Sequence, residues 1–529
     1  MLDLLFDGKQ EAIESDISRL TQSEGFSVNL HIGHFEKNPL ERSFSSQSQI
    51  ISVSTNRVEL FRIYRHYLLE SGDISTAMGP LTTMKPEKLD FNPHSFQYGG
   101  MFLYPFALIL KMASWIRYLH LTPDINFYIL NPLEFRKFGL LGRGWMAAVN
   151  ILSAIILFYA AREWENTTVG ILSVIFFLLF PNSLAVARTL KPHEAALIWI
   201  LMSFWSALRF QNSGKSAYLW GSAVMSGFAV GTSLNYGIFV LFPIVALLNR
   251  ERRVNLKDIS RIVGIVFCVF VVTNPYFFVS LGIIRTEFAY HHWIAQNGSN
   301  QKIIPVLFNI FPRGMTWWLS LGFFLSLLFY VRQRSFSRQI LLIVPLIYFL
   351  AFLSFGGGNR AVRFVNVLYP YFGMICAYGL SEVIHRWRRT GVALTIGLLA
   401  FTLMSATNYL SNYWAESAGE STLYQAGRWI NNLPNGTSIG FSTLPTPGVY
   451  PPFRFQDFNL LIFPDSFAAA RSTEETPAYF VSHEGMAPKL GAYQLVQSFK
   501  PIVFVPQSWF GPDPIITDVA PSIFIFKRI

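Results

Sequence analysis

The chain has 529 residues, of which 52% are hydrophobic, 16% aromatic and only 14% charged, and this composition excludes an ordinary soluble domain. A net charge of +11 would favour a nucleic-acid partner in a soluble protein. Here the Lys and Arg residues cluster between apolar segments, which is the pattern that sets membrane topology. We therefore expect a membrane protein without a nucleic-acid partner.

Residues 1–65 form a polar N-terminal segment. They contain no signal peptide and no apolar run long enough to cross a bilayer. The topology derived below nevertheless requires this segment on the outer face of the membrane. We expect a first transmembrane helix to be missing here, with the polar segment in its place.

Residues 66–137 are predicted to form an outer loop with an interfacial helix. The polar stretch MKPEKLDFNPHSFQYGG at 84–100 runs directly into the apolar MFLYPFALILKM. We expect 100–119 to lie along the outer membrane surface as an amphipathic helix. The alternative, a spanning helix with residues 1–99 in the cytoplasm, needs a second crossing before residue 138, and the sequence offers none.

Residues 138–410 contain about ten apolar segments long enough, or nearly so, to cross a membrane. Basic linkers at 250–253, 332–338 and 385–389 are expected to face the cytoplasm. Alternation then places 185–192, 281–314, 356–363 and everything after about residue 411 on the outer face. The predicted spans are 138–160, 168–187, 193–211, 219–234, 236–249, 259–280, 315–332, 339–357, 364–384 and 391–410.

Residues 411–529 are predicted to form a small extracytoplasmic α/β domain. A helical stretch at 422–432 meets the turn signal LPNG, and short β-type runs follow, namely SIGFS, AYFVS, IVFVP and SIFIF. The predicted fold class is thus a polytopic all-α membrane protein with a small C-terminal α/β domain.

The sequence lacks the motifs of several common chemistries. It has no Walker-type or dinucleotide-binding glycine loop, no Asp-x-Asp pair and no zinc-protease or esterase motif. The pair His291-His292 has no evident third ligand, and both cysteines lie in apolar segments, so we expect no cofactor; a divalent metal stays open as the alternative but is not indicated by the sequence. Polar residues instead cluster at outer positions, at Asp73, 90–98, 188–194, 291–292 and 360–363.

An ordered set of short motifs resembles the C-type glycosyltransferases. The branch it resembles contains the dolichyl-phosphate-mannose protein mannosyltransferases and the lipid-A aminoarabinose transferases. The motifs extend from about residue 65 to the C-terminus, in family order. They are Asp73 followed by MKPEKLDFNPHSFQYGG, then ARTLKPHEAALIWI, TSLNYGIFVLFP, TNPYFF, RFVNVLYP and QAGRWINNLPNGTSI.

The resemblance implies transfer of a sugar from a polyprenyl-phosphate donor to an acceptor hydroxyl at the extracytoplasmic face, with inversion. Such a reaction needs a carboxylate to accept a proton and cationic groups to stabilise the departing phosphate. By resemblance Asp73 is the candidate general base. The second acid of the family's Asp-Glu pair is replaced here by Ile74. The expected partners are the lipid-linked donor, a glycan, lipid or protein acceptor, and the bilayer of a bacterial inner membrane.

The resemblance also suggests binding residues. Lys191, His193 and Arg363 are candidates for contacts with the donor phosphate, since an Arg grips phosphate with two parallel hydrogen bonds. Simpler roles stay open, because Lys191 and Arg363 also suit anchoring at the membrane interface. Further candidate substrate contacts are Asp90, Asn92, His94, Tyr98, Glu194 and His292.

Two other classes of protein are considered. A secondary transporter would carry ionisable residues in the middle of its helices, whereas the charges here lie at helix ends. A non-catalytic descendant of the transferase fold is the stronger alternative, because Ile74 and the expected missing helix both favour lost activity.

Overall fold

The protein is described from a computed structural model. The structure describes residues 4–5, 51–52, 60, 63–64, 67, 74–122, 127–128, 131–251, 255–297, 303–333, 340–355, 362–462, 476–483, 493–506 and 520–529. Within a few of these ranges only the backbone is described.

The described chain is mostly helical. The helices are α1 (Ile74–Thr83), α2 (Gly100–Trp115), α3 (Pro132–Trp164), α4 (Thr167–Leu179), α5 (Pro181–Ala187), α6 (Pro192–Ser213), α7 (Ser216–Thr232), α8 (Leu241–Arg250), α9 (Leu256–Thr273), α10 (Leu281–Asn297), α11 (Ile303–Phe308), α12 (Trp317–Gln333), α13 (Ile343–Phe355), α14 (Tyr369–Arg386), α15 (Arg388–Ser417) and α16 (Thr422–Asn431). Short 3₁₀ segments at Pro86–Lys88, Leu234–Val240, Ile340–Leu342, Val362–Leu368 and Phe455–Asp457, and a π turn at Asn309–Arg313, connect them.

Local sequence signals explain where several helices begin and end. Prolines occupy the first turn of α3, α5, α6 and α14, where the missing N–H group has no helical partner to lose. Asn166 caps α4 by accepting a hydrogen bond from the N–H of Val169 at 2.9 Å. Gly214, with φ of +74°, ends α6 in the left-handed region.

The predicted transmembrane segments all contain helix, but the predicted count of about ten spans is not confirmed. Among the described residues, three helical stretches are long and apolar enough to cross a bilayer, and five qualify if each of two bent helix pairs counts as one span. One bent pair is α4 and α5, which meet at 65°. Pro181 begins α5 at this bend, since proline cannot continue the backbone hydrogen-bond ladder of α4.

The buried apolar side chains form two large clusters. The first lies among α3, α4, α6–α9 and α11–α14 and contains many aromatic rings. The second joins α2 and the start of α3 to the C-terminal domain and to Leu5, Ile63 and Tyr67 of the N-terminal region. The C-terminal domain therefore shares a hydrophobic core with α2 and the start of α3, which the sequence did not reveal.

The C-terminal domain contains the predicted small sheet, covered by α16. Its strands are β1 (Ile51–Ser52), β2 (Ser438–Phe441), β3 (Asn459–Ile462), β4 (Tyr479–His483), β5 (Tyr493–Phe499) and β6 (Ile523–Arg528), in the order β1-β3-β2-β4-β6-β5. β2 runs parallel to β3 and β4, whereas the other pairs are antiparallel. The N-terminal region supplies β1, so the sheet is built from both ends of the chain.

One predicted strand is wrong. The run IVFVP at 502–506 is not in the sheet, and the strands at 459–462 and 493–499 were not predicted. The physical reason is that the backbone of 502–505 is hydrogen-bonded by two asparagine side chains of α15 instead of by a neighbouring strand.

Candidate functional site

The polar loop that precedes α2 is fastened to the ends of α7 and α9. The N–H of Gly99 donates to the carbonyl of Thr232 at 2.9 Å, and the N–H of Gly100 donates to Oδ1 of Asn274 at 2.7 Å. A Cβ atom on Gly99 would lie 2.0 Å from the carbonyl oxygen of Gly231. Glycine is thus required here for the close approach of two backbones.

Glu287 of α10 holds the middle of the same loop. It accepts hydrogen bonds from Oγ of Ser95 at 2.9 Å and from the N–H of Phe96 at 2.9 Å, and the residue is 7% exposed. A buried carboxylate needs such donors to offset its loss of hydration. No local pattern in the sequence indicates this role, because Glu287 lies in a helix of mixed polarity far along the chain.

The loop itself contains four of the predicted substrate contacts. Oδ1 of Asp90 accepts the N–H of Asn92 at 3.0 Å, forming the Asx turn typical of this residue type. Asn92 donates from Nδ2 to Oγ of Ser280 at 3.2 Å and accepts the N–H of His94. His94 is exposed and has φ of +48°, whereas Tyr98 is half-buried. Asp90 and Asn92 therefore already shape the loop.

A second group of predicted residues lies at the N-terminus of α6. Lys191 is the half-buried N-cap residue, and Pro192 starts the helix. The next residue, His193, is 1% exposed, and its Nδ1 shares a hydrogen bond of 2.6 Å with the hydroxyl of Tyr236. Lys191 is thus partly accessible, whereas the imidazole of His193 is buried.

Glu194 is completely buried within a network of amides. Its Oε1 accepts from Nδ2 of Asn150 at 2.7 Å, and its Oε2 accepts from Nδ2 of Asn366 at 2.5 Å. Oδ1 of Asn366 in turn accepts from Nδ2 of Asn182 at 2.9 Å. The network joins α3, α5, α6 and the 3₁₀ segment 362–368. None of the three asparagines was predicted from the sequence.

This network brings two predicted phosphate-binding segments together. Asn366 belongs to the 3₁₀ segment that contains Arg363, and the ring of Phe364 lies 4.8 Å from the ring of His193. The backbone of 362–364 therefore lies beside the N-terminus of α6, although the two segments are separated by about 170 residues. The sequence showed each segment but gave no evidence of their contact.

Three predicted site residues lie wholly or partly outside the described structure. Asp73, the predicted base, lies outside the described residues, and α1 begins immediately after it at Ile74. Arg363 and His292 are described only by their helical backbone. Within the described part of the chain, no group of three His, Cys, Asp or Glu residues comes together as a metal site.

An apolar cavity of about 950 Å³ lies among α11–α14. Its lining includes Tyr371 and Phe372 of α14, which follow the 3₁₀ segment 362–368 by one turn. Almost all of the lining is hydrocarbon, from residues such as Phe311, Trp317 and Leu346. Part of the cavity lining is therefore the first turn of α14, which directly follows the segment 362–368 along the chain.

Comparison with protein families supports the resemblance noted above. Residues 142–277 match the family model described as dolichyl-phosphate-mannose-protein mannosyltransferase. The matched segment contains Lys191, His193, Glu194 and Tyr236. It therefore includes the part of the candidate site at the N-terminus of α6, but not the segment 362–368. The predicted resemblance to C-type glycosyltransferases is confirmed over these residues. A search of curated proteins finds no match to this sequence.

Solved structures give weak matches. ArnT from Cupriavidus metallidurans bound to undecaprenyl phosphate matches at 11% identity and a TM-score of 0.43, with 81% of this chain and 88% of that chain covered. The Archaeoglobus fulgidus oligosaccharyltransferase complex with Zn and sulfate matches at 12% identity and a TM-score of 0.37, with 65% of this chain covered. This chain spans about half, 52%, of the length of that oligosaccharyltransferase.

Proposed function

We propose that this chain is a membrane glycosyltransferase that moves a sugar from a polyprenyl-phosphate donor to an acceptor hydroxyl at the extracytoplasmic face of a bacterial inner membrane. The acceptor is a glycan, a lipid or a protein, and no metal or other cofactor is required. The family match over 142–277 supports the class of reaction.

The observation that carries this proposal is the contact between the N-terminus of α6 and the segment 362–368. The hydrogen bond between Glu194 and Asn366 and the ring contact between His193 and Phe364 hold the two segments together. We propose that Lys191 and Arg363 bind the donor phosphate from these two sides, with His193 contributing behind Lys191. Two cationic groups on separate elements suit a phosphate that gains charge as the glycosidic bond breaks.

In the proposed reaction Asp73 accepts the proton of the acceptor hydroxyl. The hydroxyl oxygen forms a bond to the anomeric carbon on the face opposite the phosphate. The bond between that carbon and the phosphate oxygen breaks, and its electron pair leaves with the polyprenyl phosphate. One displacement of this kind inverts the anomeric centre.

The loop before α2 supplies the rest of the proposed site. We assign substrate contact to three residues. His94 is exposed and Tyr98 is half-buried, and the third residue is His292. Asp90 and Glu194 are already hydrogen-bonded to protein groups, so we assign them, with Asn92, to holding the site in shape. The isoprenoid chain of the donor would lie in the apolar cavity below segment 362–368.

The test is transfer from defined donors in proteoliposomes. Synthetic polyprenyl phosphates bearing different radiolabelled sugars are supplied with mixed envelope acceptors, and transfer is compared between the parent and Arg363→Ala. Loss of charge-assisted hydrogen bonds to phosphate should raise the activation free energy of transfer, calculated from kcat/KM for the donor, by on the order of 1.5–3 kcal/mol. Arg363→Lys should restore part of this loss. Arg261→Ala is the matched control, because Arg261 is exposed and pairs with Asp258 on its own helix.

The non-catalytic alternative keeps one specific observation in its favour, namely Ile74 at the position of the family's second acid. Binding of the lipid-linked sugar without any turnover, in every donor and acceptor tested, would support that alternative. Equal donor KM and kcat in Arg363→Ala and the parent would instead reduce Arg363 to an anchor at the membrane interface.

A further inference from the structure

The segment 501–506 presents apolar side chains to the outside of the protein. Ile502, Val503 and Phe504 are 42%, 44% and 66% exposed. They follow β5 and belong to no strand themselves, and the segment lies against the side of α15. Three consecutive exposed apolar residues on one short segment are unusual for a surface that contacts only water.

The backbone of this segment is satisfied by two asparagines of α15. Asn412 accepts the N–H of Ile502 at 2.8 Å and donates to its carbonyl at 2.6 Å. Asn408 accepts the N–H of Phe504 at 3.0 Å and donates to the carbonyl of Val505 at 3.0 Å. Four backbone groups are thus paired without a neighbouring strand, as required of backbone that leaves water.

The position along α15 places this segment at the edge of a bilayer. At a rise of 1.5 Å per residue, Asn408 and Asn412 lie about 28 and 34 Å from Arg389 of the inner basic linker, and the hydrocarbon layer is about 30 Å thick. Trp387 and Trp414, which are 57% and 78% exposed, bracket the helix. They are separated by about 40 Å, a spacing that suits the two aromatic belts of a membrane.

We propose that Ile502, Val503 and Phe504 insert into the outer interface of the bilayer and seat the C-terminal domain on the membrane. Lys500 is exposed two residues before Ile502 and is placed to meet lipid phosphates at headgroup level. The domain is then held to the bilayer at two points, by α15 and by this segment. The partner is lipid rather than a second copy, because the segment stands at the height where α15 leaves the hydrocarbon. This inference does not depend on the proposed glycosyl transfer.

The test measures the depth of single spin labels in lipid nanodiscs. Cys268 and Cys376 are first replaced by Ala, and a nitroxide is attached to Phe504→Cys in the full-length chain. Leu403→Cys, on the exposed side of α15, is the lipid reference, and Asn435→Cys, in an exposed turn of the C-terminal domain, is the water reference. The label at 504 should collide with oxygen several-fold more often, relative to a water-soluble nickel complex, than the label at 435.

A second variant tests the role of the asparagines. In the Asn408→Ala, Asn412→Ala background the segment loses all four hydrogen bonds, and the label at 504 should become more accessible to nickel. Equal nickel accessibility at 504 and 435 in the parent would overturn the proposal. Spin–spin broadening at 504 that vanishes on dilution with unlabelled protein would also overturn it, because a second copy would then cover the segment.

Discussion

The buried network around Glu194 gives the sharpest prediction about stability. Replacing Glu194 by Ala removes the acceptor of two amide hydrogen bonds, from Asn150 and Asn366. Each buried donor left without a partner costs about 1–3 kcal/mol, so the two together should lower the free energy of unfolding by about 2–6 kcal/mol. The lost side-chain volume adds to this cost.

Glu194→Gln is the matched variant, and its expected cost is below about 1 kcal/mol. The carbonyl of Gln can face Asn366, whose own carbonyl already accepts from Asn182 and so fixes its orientation. The amide of Gln then faces Asn150, which only has to turn its side-chain amide by 180° to accept. Both hydrogen bonds survive without the carboxylate charge.

Cys376 provides the assay for this pair of variants. It is 1% exposed in α14, so a thiol-reactive fluorescent dye reaches it only when the helices separate. Cys268 is exposed and is replaced by Ala to remove background. The midpoint temperature for heat-induced labelling of Cys376 should fall clearly in Glu194→Ala and only slightly in Glu194→Gln. Equal losses in the two variants would refute the reasoning, since the charge and not the acceptor geometry would then be essential.

The remaining predictions concern the loop, the base and the topology. Gly99→Ala should destabilise the attachment of the loop by about 1–3 kcal/mol, and proteolysis within 84–98 should become faster. Gly264→Ala is the control and should behave as the parent, because an added Cβ there meets no atom within 4 Å. Asp73→Asn should lower single-turnover transfer by roughly 10²–10⁴-fold with nearly unchanged donor binding, and full activity would move the base to another carboxylate. A reporter fused after residue 387 should be cytoplasmic and one fused after 415 extracytoplasmic; a cytoplasmic signal from the second would reverse the assignment of the active face.

The sequence predicted the helical segments because long apolar runs leave the backbone few alternatives in a membrane. It predicted the loop before α2 as a distinct polar element, and the Asx turn at Asp90 is the local structure typical of this residue type. It failed at 502–506 because β-branched residues indicate a strand only when strand partners exist. Asn408 and Asn412, four residues apart on one helix face, were the signal that another partner was present.

The contacts between distant segments were the least predictable part of the site. Glu287 lies about 190 residues from the loop that it holds, and Asn366 lies about 170 residues from Glu194. Neither distance leaves a local pattern, since each residue is chemically ordinary in its own segment. The sequence therefore identified candidate binding segments but not the groups that align them.

Asparagine has a common structural role across these contacts. Its side chain offers a donor and an acceptor without a charge, so it can pair backbone or side-chain groups in a low-dielectric interior without the desolvation cost of an ion. Each such amide joins elements that no backbone ladder connects. A site aligned in this way is preorganised before any substrate binds. Losing one amide should change the relative positions of the joined elements without changing the local charge. The asparagines concerned are Asn150, Asn182, Asn274, Asn366, Asn408 and Asn412.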